Sequence, residues 1–555
     1  MTRHSHPDPD LTPDHGRQPQ RVSMVAMVVV FLVAFAIRWP SCGESFWVDE
    51  LHTAWCAFAD WGDVGTRAAI GNQQGGYFYL IAMWNRLMPE GVLTLYGVEA
   101  VLRLTSVLLV SSAAAWMVRI VTRTSGSLIG GVAAGLALGL ESNAIFFGTE
   151  LRPYAAIVFL STAVLSVVTK IMDADFHHSD AIDRTGVVRR IGLHLVVLLA
   201  AAVHVTSLTV LAVMVVVFVL ADWWRWRTNR SASFVVLSIH GVAGMVWGLV
   251  AVLWMQTHES LWHAREAWTS FATANSWTQI GTLWPWGALV VWPVLALTLW
   301  AGFVSRGRGR SGLGPVIVFV GLSVATVAIA TLTCFVLSYI GGVALWHRRY
   351  LVASLPFLCG VLGWAVGGIA SGRFGVVGLI RRHQVMSVFT AVACLLLMMS
   401  QQRTLGRLMH GETRLARRGE GWKAAIAFTR ESAPKQDSVW IDAGLIEQKG
   451  QPIFVTDPRL EEYLRYVTGG PYTLGSDLRP MGVGDDALER WIALADESAG
   501  HRPNQQADED SGDVPAAIIT RRSIGPASIL PPGVERHRFG RVTVLIRRQL
   551  GDGDW

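Results

Sequence analysis

The sequence predicts an α-helical polytopic membrane protein of about eleven transmembrane helices, followed by a C-terminal soluble α/β domain. Three observations lead there. Hydrophobic residues make up 52% of 555 and charged residues only 16%, with a mean hydropathy of +0.38, well away from soluble averages. Apolar stretches long enough to span a bilayer recur along the first 400 residues. After Ser400 the composition changes, and charge with short β-branched runs takes over.

The elements follow in order. Residues 1–21 form a polar N-terminal tail without the features of a cleavable signal. Spans are expected at 22–40, 98–118, 127–146, 153–170, 191–205, 207–222, 233–256, 284–303, 314–337, 350–370 and 384–400, which makes 22–400 the membrane domain. The pairs 127–146/153–170 and 191–205/207–222 read as tight helical hairpins. Between the first two spans lies a long loop, 41–97, with Trp47, Trp55, Trp61, Tyr77, Phe78, Tyr79 and Trp84. Its apolar residues fall at helical spacings, so part of it is expected to lie along the membrane surface.

Charge sets the orientation. With the N-terminus inside, the inner segments hold 18 lysines and arginines and the outer loops 6. This bias places the N-terminus in the cytoplasm and, with an odd number of spans, residues 401–555 outside a plasma (inner) membrane. The net charge of +6 and pI near 9.2 are dealt out in small clusters between spans. That pattern controls topology and gives no nucleic-acid surface. The 24 tryptophans suit two membrane interfaces. Inner loops such as Ser305 to Arg310 are short and basic, leaving the outer side for chemistry.

In 401–555 strands are expected at Ser438 to Ile441, Pro452 to Val455, Ala516 to Ile519 and Val542 to Ile546. Helical patterns at Gly421 to Arg430, Arg459 to Val467 and Asp486 to Asp496 alternate with them, which argues an α/β domain. Gly500 to Asp513 is polar and acidic and reads as a disordered insertion. Cys42, Cys56, Cys334, Cys359 and Cys394 have neither CxxC spacing nor an even count. They read as buried thiols, although Cys42 and Cys56 share the first outer loop.

Three constellations on the outer side carry chemistry. Asp49 and Glu50 sit beside Phe46 and Trp47 just beyond the first span, at headgroup depth. A carboxylate there can take a proton from a hydroxyl, whereas a bland reading makes the pair a helix cap. Glu150, Arg152 and Tyr154 occupy the turn that opens the fourth span, with Pro153 suited to a first helical turn. His347, Arg348 and Arg349 break the positive-inside pattern and suit an anionic phosphate; alternatively, the arginines are snorkelling anchors. The outer loop 257–283 adds His258, Glu259, Trp262, His263, Arg265, Glu266 and Trp268. His204, His258, His263 and His347 have no HxxxH spacing, so no metal or other cofactor is indicated, a divalent metal being a minor alternative. No nucleotide-phosphate cradle is present. Only Glu99, Arg103 and Glu141 approach the interior of a span.

Taken together, Trp47-Val48-Asp49-Glu50, Arg103 following Glu99, Glu150-Leu151-Arg152-Pro153-Tyr154-Ala155 and Arg348-Arg349-Tyr350-Leu351 resemble the GT-C glycosyltransferases. The resemblance is to the protein mannosyltransferase and aminoarabinose-transferase type (glycosyltransferase family 39-like) and covers roughly residues 20–400. It implies an inverting enzyme that takes a sugar from a polyprenyl-phosphate carrier and gives it to a hydroxyl or amine acceptor on a lipid, glycan or protein. Carried over, Asp49 is the base with Glu50 beside it as the catalytic pair. Glu150, Arg152, Tyr154, Arg103 and His347 shape the donor site, and Arg348 or Arg349 holds the donor phosphate. Thr105 stands where the family often has proline. The competing class is a multi-pass transporter or flippase, which buries ionisable residues mid-span. A sensor would need a cytosolic output module that the short inner loops do not supply.

Overall fold

The computed structural model describes residues 17–177, 184–229, 234–257, 272–305, 314–371, 380–500, 515–524 and 530–547. An apolar helix α1 (Arg17–Arg38) leads into four short helices, α2 (Val48–Ala57), α3 (Val64–Ile70), α4 (Gly75–Leu87) and α5 (Glu90–Tyr96). Next come α6 (Val98–Ser125), α7 (Leu128–Leu140), α8 (Ser142–Phe147), α9 (Tyr154–His177), α10 (Arg184–Val203), α11 (Leu208–Asn229) and α12 (Phe234–Thr257). The bundle continues with α13 (Thr278–Leu283), α14 (Trp292–Ser305), α15 (Gly314–Tyr339), α16 (Leu355–Ala370), α17 (Ile380–Gln401) and the short α18 (Thr404–Met409). Among the described residues, nine helical segments are long and apolar enough to cross a membrane, and two shorter apolar ones, Leu128–Leu140 and Gly287–Phe303, accompany them. These correspond to the eleven expected stretches.

The departures have local causes. The span expected over 127–146 is broken at Glu141, whose carboxylate accepts the Ala144 N–H at 2.7 Å and starts α8 afresh. The stretch 284–303 opens with a π-helical turn, Gly287–Val291, and 350–370 with a 3-10 turn, Arg348–Ser354. Arg38, Arg190, His194, Asp222 and His240 are buried within spans as well, beyond the three groups expected there. Arg190 holds Asp222 at 2.7 and 2.8 Å, and His240 connects Asp222 at 3.0 Å to His194 at 2.9 Å. Residues 258–271, 306–313 and 501–514 lie outside the described residues. The readings of His258, Glu259, Trp262, His263, Arg265, Glu266 and Trp268 and of the acidic insertion fall there.

Helix α16 is buried along its length among α7, α14, α15 and α17. Small residues bring the backbones together, as in other membrane bundles. A Cβ on Gly363 would lie 2.8 Å from the Gly130 carbonyl. Elsewhere large apolar side chains stay outside, such as Met245 and Leu249 on α12 and Val385 and Phe389 on α17. Such exposure is what a hydrocarbon surround covers.

Beyond α18 the chain forms α19 (Trp422–Ser432), β1 (Ser438–Asp442), α20 (Pro458–Leu464), β2 (Arg479–Gly482), α21 (Ala487–Gly500), β3 (Ala517–Thr520), β4 (Val534–Phe539) and β5 (Val542–Arg547). The sheet runs β2-β1-β3-β5-β4, with β1 parallel to β2 and β3 and the rest antiparallel. Pro452 to Val455 is not a strand: only Phe454 bridges, to Val483. Alternation decides the packing. Trp440, Ile518 and Leu545 meet Trp491 of α21, while Val439, Ile441, Ile519 and Val544 join a core shared with Leu51, Trp55, Phe78 and Ile81 of the first loop. The C-terminal domain is thus seated on the loop that carries the acidic pair. All five cysteines are buried and free.

Candidate active site

Helix α2 starts at Val48, so Asp49 and Glu50 fall in its first turn, where carboxylates favour the positive end of the dipole. Adjacent residues on a helix point about 100° apart, and the two side chains have different surroundings. Glu50, 1% exposed, accepts Arg103 Nε at 2.8 Å on Oε1 and Arg103 Nη2 on Oε2. It also accepts the N–H groups of Leu151 at 2.7 Å and Trp47 at 3.3 Å. Arg103 donates further to the carbonyls of Cys42 at 2.9 Å, Glu44 and Ser45 at 3.2 Å. Glu50, expected in the catalytic pair, and Arg103, expected at the donor site, thus bond to each other and to backbone groups. Both side chains are saturated by protein, and together they lock α2, the 42–45 turn and the start of the E-x-R-P-Y element into one block.

Asp49 differs. Its carbonyl accepts Thr53 Oγ1 at 3.3 Å and Arg152 Nη1 at 3.2 Å. Its half-buried carboxylate has no hydrogen-bond or ion-pair partner among the described residues. Burial pulls the Arg152 pKa down, but the Asp49 carboxylate and, after it, Tyr154 and Glu150 more than offset this and leave it above its ordinary value. Arg349 stacks 4.9 Å over the Tyr350 ring, donates to the Tyr350 hydroxyl at 2.8 Å and lies within electrostatic reach of Tyr154 and Asp49. Tyr154 packs 5.6 Å from His204. Asp49, Arg152, Tyr154 and Arg349 thus lie within electrostatic reach of one another as one polar group. Arg348 is not among them: its side chain turns the other way and donates to the Thr282 carbonyl at 3.1 Å. His347 uses Nδ1 to accept the Arg349 N–H at 3.2 Å, so it fixes the turn.

Glu150 faces Arg418, 2.8 Å away but off the angle a hydrogen bond needs. Burial pushes its pKa up to about 7, with Arg418 opposing and Glu50 adding to the rise. The space left between Glu50, Arg103, Glu150 and Arg418 is about 10 Å³, room for one water. His52, one turn along α2, is pushed down to about 4 by burial and then by Arg152. It is neutral at ordinary pH and ringed by Trp55, Phe78, Tyr463 and Tyr466.

Sequence reasoning missed what the C-terminal domain adds. Glu420 accepts the Val48 N–H at 3.0 Å, Tyr466 donates to the Val48 carbonyl at 2.7 Å, and Tyr472 accepts the Phe46 N–H at 3.0 Å. Three side chains thus hold the backbone just before Asp49. The Tyr463–Tyr466 pair, three apart in an expected helix, was the available signal; Arg418 and Glu420 had none. Among the described residues no group of three or more His, Cys, Asp or Glu is placed to hold a metal.

No family model and no curated protein matches this chain. Among solved structures it is similar to the oligosaccharyltransferase AglB of Archaeoglobus fulgidus in complex with an inhibitory peptide and a dolichol-phosphate. That match has a TM-score of 0.47 and 10% identity, covering 90% of this chain and 69% of that one. It is similar to ArnT of Cupriavidus metallidurans bound to undecaprenyl phosphate (TM-score 0.47, 12% identity, 96% and 99% covered). The apo state of that ArnT gives a TM-score of 0.44 at 15% identity, with 95% and 98% covered. All are GT-C membrane enzymes. Side-chain roles in this chain rest on its own geometry.

Proposed function

We propose that the protein is an inverting glycosyltransferase that moves a hexosyl or pentosyl unit from a polyprenyl-phosphate donor to a hydroxyl or amine acceptor at the outer face of the plasma membrane. One observation carries this reading: the Asp49 carboxylate has no partner among the described residues and lies near Arg152 and Arg349, while its neighbour Glu50 is tied down. The acceptor oxygen or nitrogen attacks the anomeric carbon from the face opposite the phosphate and passes its proton to Asp49. The carbon–oxygen bond to the phosphate breaks, and the polyprenyl phosphate leaves with both electrons. Arg152 and Arg349 are placed to take the charge that develops on it. Glu50 and Arg103 fix where Asp49 stands.

The test is Asp49→Asn, which keeps size but cannot take the proton. Turnover is expected to fall by about 10²–10⁴ with donor affinity kept. Transfer at near the parental rate by the purified variant would end the assignment and move attention to Glu150. The buried Arg190–Asp222–His240–His194 network is the observation that favours a transporter instead. Counterflow of a labelled lipid-linked sugar in proteoliposomes, abolished by Asp222→Asn but kept in Asp49→Asn, would decide for it.

A further inference from the structure

A second polar cavity, of about 400 Å³, lies where the ends of α7, α13 and α17 meet the Arg348 turn. By the charge count these are all outer ends. Arg348 and Arg403 line it, with Trp284, Gln401, Gln402 and Asn143, and no carboxylate is among its described lining residues. Its wall is built: Gln402 accepts the Ser142 N–H at 2.9 Å and donates to Glu141, and Asn143 donates to Glu141 at 2.7 Å. Arg403 has a φ of +60°, a backbone conformation that residues other than glycine rarely adopt and that tends to mark functional positions. Trp284 is 3% exposed, and its indole N–H has no partner among the described residues. Two guanidinium groups, an unused buried donor and indole rings at a membrane boundary suit a phosphate carried on a lipid.

We propose that this cavity binds the phosphate head group of a lipid other than the polyprenyl donor. That it is a second site rests on the donor assignment above. A donor phosphate is bonded through oxygen to the carbon that is transferred, so it belongs beside Asp49. None of Asp49, Arg152, Tyr154 and Arg349 is among the cavity's described lining residues. The consecutive arginines divide accordingly: Arg349 belongs with the Asp49 group and Arg348 with the cavity. An anion held here places a phosphate-bearing lipid, an acceptor or a bilayer phospholipid, next to the turn that carries Arg349.

The experiment is equilibrium binding to the full chain in neutral detergent, read by native mass spectrometry and independent of transfer activity. The probes are dihexanoyl phosphatidic acid, dihexanoyl phosphatidylcholine, farnesyl phosphate and inorganic phosphate. Phosphatidic acid is expected to bind at least tenfold more tightly than phosphatidylcholine or inorganic phosphate. The double variant Arg348→Gln/Arg403→Gln should lose that preference while farnesyl phosphate affinity stays within twofold. Arg348→Lys/Arg403→Lys, which keeps both charges, should retain most of the binding, and Trp284→Phe should weaken it without altering charge. Unchanged phosphatidic acid affinity in the Gln variant overturns the site. A parallel loss of farnesyl phosphate makes the cavity part of the donor seat, and inorganic phosphate binding as tightly as phosphatidic acid overturns the lipid assignment. None of these results touches the role of Asp49.

Discussion

Replacing Arg103 by Met separates a positioning role from a donor-binding one. The side chain is 3% exposed, makes a two-point contact with Glu50 and donates to three carbonyls of the 42–45 turn. Arg103→Met leaves the Glu50 carboxylate buried without its cation, which costs about 3–5 kcal/mol. Glu50→Gln leaves the guanidinium unpaired at a similar cost, and its single oxygen can replace only one of the two carboxylate oxygens that accept the Leu151 and Trp47 N–H groups. If the two losses were independent, the double variant would lose roughly 6–10 kcal/mol. Because the dominant penalty is an unpaired charge, the double variant is expected to be no worse than either single. Unfolding midpoints of the four proteins in one detergent check this. The kinetic counterpart is turnover that falls at saturating donor while the donor Kd stays within threefold, since Asp49 loses its support and the phosphate keeps its arginines. Additive losses of stability, or a tenfold loss of donor affinity with saturated turnover intact, would refute the reasoning and return Arg103 to the donor site.

Arg349→Ala is expected to weaken donor binding by at least tenfold, with Lys restoring only part because a point charge replaces a planar fork; Arg348→Ala should leave donor Kd unchanged in the same titration. Glu150, ordinarily near 4.5 and about 7 when folded, holds a proton in the folded state that the unfolded chain has released between those values. Its contribution therefore makes stability fall as pH rises from about 4.5 to about 7, and midpoints measured across that window should slope less in Glu150→Gln. A reporter active only in the cytosol and fused after Trp555 should stay silent, and a bright signal would reverse the orientation on which the outer placement of Asp49 depends.

Periodicity and apolar length exposed most of the bundle, because lipid demands long runs that interior packing does not hide. They failed where a polar group acts on the backbone. Glu141 ends one helix and begins another inside an apolar stretch, which hydropathy averages away. In the sheet, Val439, Ile441 and Val544 announced themselves by alternation. Strand β2 did not, since Pro480 reads as a turn and fits only because β2 is an edge. Strand β4, also an edge, carries Glu535, Arg536, His537 and Arg538 and looks like a loop to any scale that scores burial. In the site the residue types were legible and their division of labour was not. Asp49 and Glu50, like Arg348 and Arg349, are neighbours in sequence, and a helical turn sends neighbours about 100–120° apart. One member of each pair belongs to the Asp49 group, and the other bonds elsewhere, Glu50 to Arg103 and Arg348 to the Thr282 carbonyl. Which one does so depends on where the turn begins, and that is set by contacts hundreds of residues away.

Those distant contacts tie the C-terminal domain to the chemistry. Glu420, Tyr466 and Tyr472 hold the backbone from Phe46 to Val48, and Arg418 places a cation against Glu150. Each neutral hydrogen bond contributes about 1 kcal/mol, and the one to the Glu420 carboxylate about 1.5–3 kcal/mol. Their shared effect is to remove freedom from the segment that aims Asp49. The same face of the sheet that packs on Trp55 and Phe78 keeps water from those bonds, which strengthens them. Loss of the sheet would leave the spans intact and free the first turn of α2 to fray. A carboxylate displaced by an ångström no longer meets an acceptor proton in line with the anomeric carbon, a loss on the order of 10²-fold. The domain after Ser400 therefore belongs to the site by position, even though on the proposed mechanism it contributes no group that exchanges a proton with substrate.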